Sequence, residues 1–247
     1  MAAIRLLLLS NSTMAGEAYL DYPKYDIRDF LGTQPVTALF LPYAAVTLPW
    51  EEYESRVRER FNEIGHDVIS IHRFPDARKA VNEAAAIVVG GGNTWNLLHH
   101  IREFGLIEPV RERVLAGMPY AGWSAGANVA CPTIMTTNDM PVVDPGGFEA
   151  FGLVPFQINP HYLDSRPEGH GGETREERIR EFIEVNSRVY VVGLREGCML
   201  RIEGTAMRMK GTRPLRLFQH GCEPREMAAG EDLSFLLRKE ACGERGF

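Results

Sequence analysis

The stretch Ala85–Val89 is wholly apolar and runs without a polar break into Gly90-Gly91-Gly92. A run this short and uniformly apolar, cut off by glycine, suits a strand buried on both faces. Other strand-length runs are Ile4–Ser10, Val36–Leu41, Asp67–Ile71, Pro119–Trp123, Phe156–Asn159 and Val189–Leu194. Between them the period changes. Trp50, Tyr53, Val57, Phe61 and Ile64 recur at three- and four-residue steps, on a helix entered near Pro49 and ended at Gly65. Helices are also expected over Asp76–Ala84, Thr94–Phe104, Ile107–Ala116 and Thr174–Val185, the last opened by a capping box of Thr174 and Glu177. Ala15–Leu31 is a weaker candidate, interrupted by Gly16 and Pro23. This alternation specifies an α/β fold: a mostly parallel central sheet with helices on both faces. Cys198–Ile202, Ala206–Met209 and Leu215–Phe218 read as a closing meander of C-terminal antiparallel strands. The 247 residues contain no repeat, low-complexity tract or linker, so residues 1–247 are expected to form a single domain.

Pro119–Trp123 leads into Gly122-Trp123-Ser124-Ala125-Gly126, the G-x-S-x-G pattern of a nucleophile elbow. A serine at the tip of a tight strand-to-helix turn needs small residues two positions before and after it, which Gly122 and Gly126 supply. Without that context Ser124 would be only the cap of a helix packed on small residues. With it, Ser124 is the expected nucleophile, and the Ala125 N–H at the following helix start is an expected oxyanion donor. In open α/β sheets ligands collect at the carboxyl ends of strands. The Gly90–Gly92 loop shares that edge, so a second oxyanion donor is expected there, at Gly92, with Asn93 and Thr94 touching the substrate. The loop has neither the G-x-G-x-x-G spacing nor a Walker lysine.

A serine nucleophile needs a base, oriented by a third group. His161 follows a strand and Pro160, at the same sheet edge. His66, His72 and His220 are more simply surface or core-edge residues. Two carboxylates compete as the acid: Glu196, also at a strand's carboxyl end and favoured on that ground, and Asp139, 15 residues past the serine. Asp139 has instead the option of ordering its loop or contacting substrate. Arg175 stands at a helix start, where a cation opposes the helix dipole. Its options are a local anion, or an ordinary ion pair with Glu173 or Glu176.

Composition closes off other classes. A net charge of −6 leaves no basic footprint for nucleic acid, and the apolar runs are too short to cross a bilayer. Cys131, Cys198, Cys222 and Cys242 are far apart and read as reduced thiols of a cytoplasmic protein. His99 and His100 are adjacent and expected to point apart on a helix, and no compact ligand motif occurs, so no metal or other cofactor is expected.

Gly90–Thr94, Gly122–Asn128, Thr136–Pro141, Ile158–His161 and Gly172–Ile179, with the initial Leu6–Thr13, together resemble the peptidase E (α-aspartyl dipeptidase) family. The motifs extend from the N-terminus to about Gly197. The family is similar in fold to class I glutamine amidotransferases, with serine in place of cysteine. The resemblance implies metal-free hydrolysis of dipeptides bearing an N-terminal aspartate, with Ser124 as nucleophile and His161 as base. Within the family the acid has been assigned both to the position of Asp139 and to that of Glu196. The arginine matching Arg175 is thought to grip the substrate aspartate. Members are typically cytoplasmic and dimers occur among them, so the expected partner is a small aspartyl peptide, and a homodimer is an assembly the resemblance allows. The competing readings are a cyanophycinase-like, esterase or amidase-type serine hydrolase and, from another class, a silent binder of aspartyl ligands.

Overall fold

Five apolar runs become strands in the computed structural model, which describes residues 3–164, 169 and 171–238. They are β1 (Arg5–Leu9), β2 (Thr37–Leu41), β3 (Asp67–Ser70), β4 (Ile87–Val89) and β5 (Tyr120–Trp123). They lie side by side in the order β3-β2-β4-β5-β1, every neighbour parallel. Parallel neighbours need long crossovers, and these contain α1 (Lys24–Leu31), α2 (Trp50–Glu63), α3 (Ala77–Glu83), α4 (Thr94–Glu103) and α5 (Ile107–Leu115). After β5 comes a single turn of helix, α6 (Ala125–Asn128).

A second sheet starts with β6 (Gln157–Pro160) and β7 (Val191–Leu194), parallel to each other and joined through α7 (Arg175–Val185). The chain then returns to the first sheet as a hairpin, β8 (Met199–Glu203) and β9 (Ala206–Lys210), with β8 antiparallel to β1. It ends on the second sheet with β10 (Leu215–Phe218) and β11 (Arg225–Met227), giving the order β11-β10-β7-β6.

The pleat of β1 shows why the sheet is covered on both sides. Leu6 and Leu8 pack with Leu97, Ile101 and Val114 of α4 and α5, whereas Leu7 and Leu9 pack with Phe30, Val57 and Phe61 of α1 and α2. All four leucines are fully buried, each worth about 1.5–3 kcal/mol of transfer free energy. The cluster around Leu6 and Leu8 also takes in Ile158, Val192, Leu194 and Leu215, so the second sheet closes onto the same face as α4 and α5.

Several elements depart from expectation. The helix expected over Ala15–Leu31 survives only as α1, because Gly16 and Leu20 adopt positive φ and Pro23 sits at the N-cap. The three-strand meander is broken: β10 leaves β9 and pairs with β7. Its crossing is held by the buried Arg195, whose guanidinium donates to the Pro214 carbonyl at 2.5 Å, and by Cys198 Sγ against the Arg213 carbonyl. The polar segment after Gln219 supplies β11, a three-residue strand too short to show alternation in the sequence. Among the described residues no helix is long and apolar enough to cross a membrane.

Candidate active site

Ser124 sits between β5 and α6 with φ 54° and ψ −111°, outside the regions ordinary residues occupy. Its N–H donates to the Leu9 carbonyl at 3.0 Å, extending the β1–β5 ladder by one bond before the chain turns. The glycines of the elbow have identifiable tasks. A Cβ on Gly122 would lie 2.4 Å from the Gly126 carbonyl oxygen, and one on Gly126 would lie 2.2 Å from that of Val89. The turn therefore closes only over hydrogen atoms.

His161 follows β6 and also has positive φ, 53°. Its Nε2 lies 2.9 Å from Ser124 Oγ, and its Nδ1 lies 2.7 Å from Glu196 Oε1. An ionised carboxylate only accepts, so Nδ1 carries the proton and Nε2 is left to accept from the serine hydroxyl. Glu196 follows β7, and the next amide, Gly197 N–H, donates to Asn11 Oδ1 at 2.9 Å. The base and acid are thus set at the carboxyl ends of adjacent strands of the second sheet, and the nucleophile at the carboxyl end of a strand of the first.

The seam between the sheets is stitched by polar groups. β6 is an edge strand, and its free backbone groups at Ile158 are taken up by the elbow region. The Ile158 carbonyl accepts from Asn128 Nδ2 at 2.7 Å and Thr136 Oγ1 at 2.8 Å, and its N–H donates to Cys131 Sγ at 3.2 Å. The buried Ser10 accepts the His161 N–H at 2.9 Å and donates to the Leu194 carbonyl at 2.7 Å. Burial pushes the Cys131 thiol up to about 12, so it is an inert packing group. Cys198 is likewise buried and Cys222 exposed, all three free, while Cys242 lies outside the described residues.

Asp139 is engaged elsewhere. Its Oδ2 accepts from the Thr94 N–H at 2.8 Å, the Thr94 hydroxyl at 2.6 Å and the Thr137 hydroxyl at 3.1 Å. It fastens the 136–141 loop to the start of α4, and Trp95 Nε1 donates to its carbonyl. Among the described residues no hydrogen bond or ion pair joins Asp139 to His161. Thr94, expected to touch substrate, is instead 1% exposed with its hydroxyl committed to Asp139. Asn93 does reach the cleft, but its Oδ1 caps α4 through Asn96 N–H and its Nδ2 donates to the Met140 carbonyl. Arg175, first residue of α7, donates to Asn138 Oδ1, and Asn138 in turn donates to the Pro160 carbonyl just before His161. Neither glutamate weighed as its partner pairs with it: Glu173 goes to Arg178 and Glu176 to Arg180 and Arg216. Burial lowers the Arg175 pKa, with repulsion from Arg178 adding to the effect. This half-buried guanidinium makes no ion pair among the described residues and feels only Asp139 at longer range, which favours an arriving anion.

A cleft of about 660 Å³ opens over these groups, lined by Ser124, His161, Gly91, Gly92, Asn93 and Asp139 among others. Arg175 is not part of that lining and borders the site through Asn138. Ala125 begins α6, so its N–H has no intrahelical acceptor. The N–H groups of Gly91 and Gly92 donate to no acceptor among the described residues. The expectation that His99 and His100 point apart is corrected. Their rings meet edge to face with centroids 5.2 Å apart, and with Glu103 they bring three ligand-type atoms within 4.8 Å of one another. Bonds to the Asp144 carbonyl and to Glu103 turn the two rings toward each other.

Reading residues missed Ser10, Asn11 and Asn138 as supports of the site. A signal existed for the first two, since the polar Ser10-Asn11-Ser12-Thr13 follows directly on a buried strand.

A serine on a strained strand-to-helix turn, in line with a histidine and a carboxylate at strand carboxyl ends, is the arrangement of an α/β serine hydrolase. The sequence profile of peptidase family S51 matches residues 6–210, and the chain belongs to that family. It is a serine-type peptidase. The chain is 47% identical over 235 residues to peptidase E of a Nostoc species, covering 95% of this chain and 97% of the relative. It is 46% identical over 227 residues to peptidase E of Salmonella typhimurium, covering 92% and 99%. Among solved structures, a peptidase from an acI-B1 Actinobacterium superposes with a TM-score of 0.66 at 17% identity over 94% of this chain and 97% of that one. A peptidase E-like protein from Listeria monocytogenes does so with 0.62 at 23% identity over 85% and 100%. Both are similar in fold.

Proposed function

We propose that this peptidase is a dipeptidase hydrolysing substrates with an N-terminal aspartate, through an acyl-enzyme on Ser124. The observation that carries the reading is the unbroken line Ser124 Oγ–His161 Nε2, 2.9 Å, and His161 Nδ1–Glu196 Oε1, 2.7 Å. His161 takes the serine proton as Oγ attacks the scissile carbonyl carbon. The negative charge that develops on the carbonyl oxygen is met by the N–H groups of Ala125 and Gly92. Imidazolium, stabilised by Glu196, then protonates the leaving amine, and the second amino acid departs. Water gives a proton to His161 and attacks the ester, Ser124 recovers its proton, and free aspartate is released. Arg175 and Asn93 select the aspartyl carboxylate, while Asp139 orders the loop beside them.

The same reading makes residues 1–247 one catalytic domain, which the shared buried cluster of the two sheets supports. It also makes the enzyme a cytoplasmic one that takes small peptides and needs no metal, with a homodimer as an assembly to examine. The test is a panel of aspartyl dipeptides, other dipeptides and short acyl esters, offered to the native chain and to Ser124→Ala. Peptide turnover confined to aspartyl dipeptides, with slower turnover of a neutral acyl ester and both absent from the variant, is expected. Turnover that survives in Ser124→Ala ends the proposal.

A further inference from the structure

Tyr19 and Tyr53 line one wall of the same cleft and carry hydroxyls that the reaction above does not use. Tyr53, on α2, places its hydroxyl 2.9 Å from the Gly91 carbonyl oxygen. A carbonyl only accepts, so the Tyr53 proton is committed there, and its oxygen is left to accept from the Tyr19 hydroxyl, 2.9 Å away. The Tyr19 oxygen in turn accepts from Trp123 Nε1 at 2.8 Å. The indole N–H also reaches the Tyr53 oxygen at 3.2 Å, so Trp123 and Tyr19 both converge on Tyr53, whose own proton goes to the Gly91 carbonyl. Trp123 is the residue before the nucleophile, and Gly91 opens the peptide that carries the Gly92 N–H. Tyr53 is buried and Tyr19 half-buried, and burial raises Tyr53 to about 12, so its hydroxyl remains a donor at neutral pH.

We propose that Tyr53 is a positioning residue that sets the plane of the Gly91–Gly92 peptide, and through it aims the Gly92 N–H at the developing oxyanion. No peptide bond among the described residues is cis, so the C=O and N–H of that unit point in opposite directions. Holding the carbonyl back toward Tyr53 turns the N–H to the other side. The hook is needed because three successive glycines leave this peptide free to flip at little conformational cost. The glycines are needed in turn. A Cβ on Gly90 would lie 2.5 Å from the Tyr53 hydroxyl oxygen, and one on Gly91 3.1 Å from Ser124 Cβ. The loop is therefore close enough to serve the serine only because it lacks the side chains that would hold it still.

This inference rests on Ser124 being the nucleophile, and the experiment separates the two. Tyr53→Phe removes one oxygen, and Gly90→Ala keeps the tyrosine while displacing its hydroxyl. In each, kcat on an aspartyl dipeptide is expected to fall about tenfold with KM within about twofold, the effect of one neutral orienting hydrogen bond on the transition state alone. Affinity for an aspartyl boronate, which adds to Ser124 and creates the oxyanion, should fall in parallel. Affinity of the intact dipeptide, measured in the Ser124→Ala background, should not. A folded Tyr53→Phe enzyme with native kcat overturns the inference, as does a loss confined to KM. Should Tyr53→Phe not fold, native kcat in Gly90→Ala overturns it instead. Activity that persists in Ser124→Ala alone would remove the nucleophile, and this inference with it.

Discussion

Ser10 accepts the His161 amide proton and donates its own to the Leu194 carbonyl. One hydroxyl from the first sheet thereby fixes the start of the base's loop against the strand that leads to Glu196. It also satisfies an N–H at a residue held in positive φ. Ser10→Ala should leave that amide unpaired, at a stability cost of about 1–3 kcal/mol, and should lower kcat more than it raises KM. Urea unfolding and steady-state kinetics on an aspartyl dipeptide check both halves.

Glu196 and Asp139 should separate cleanly. Glu196→Gln lets the imidazole settle in the wrong tautomer, an error worth up to about 10⁴ in kcat where it has been examined in serine peptidases, with little change in melting temperature. Asp139→Asn loosens the 136–141 loop from α4 and should act mainly on stability and KM. Kinetics paired with thermal denaturation decide the matter. A larger kcat loss in Asp139→Asn, with unchanged melting, would reverse the roles.

Arg175→Ala should reduce kcat/KM for aspartyl dipeptides by about two orders of magnitude, the scale of one lost charge-assisted contact or somewhat more. Turnover of a neutral acyl ester should be nearly unchanged. An equal loss on both substrates would assign Arg175 to folding or general catalysis.

Acid should act on the loop that carries Glu196. Arg195 Nε donates to Asp164 at 2.8 Å and Nη1 to Glu226 at 2.7 Å, holding both carboxyls below their ordinary range. A depressed folded-state pKa means that the unfolded chain takes up the proton first. The stabilisation is therefore complete above the ordinary carboxylate values and is lost as the pH falls through the folded ones. Urea midpoints should drop on acidification between about pH 5 and pH 2. Arg195→Met should flatten that slope.

The reaction groups were more legible than the parts that hold them. Gly122–Gly126 announces its turn because only small residues close it, and His161 and Glu196 declare themselves by following buried strands. Tyr53 was visible only as one member of an apolar helical face, where a hydroxyl aimed at a backbone carbonyl looks like any core aromatic. Thr94 was misread because a polar residue after a glycine loop resembles a substrate contact until the helix start buries it. The departure of β10 to the second sheet was hidden for another reason. Antiparallel strands of similar composition do not say which edge they seek, and the choice is made by Arg195, distant in sequence from the Pro214 carbonyl it grips.

Nucleophile and base belong to different sheets, joined at Ile158 and Ser10 by a handful of hydrogen bonds. Turnover is consequently a gauge of how the two layers are seated. A shear of a fraction of an ångström along that join would silence the enzyme while the apolar cluster shared by the two sheets stayed closed. Heat should therefore extinguish activity before it erases helical circular dichroism, and substitutions far from any substrate atom, at Asn128 or Thr136, should act as brakes on catalysis.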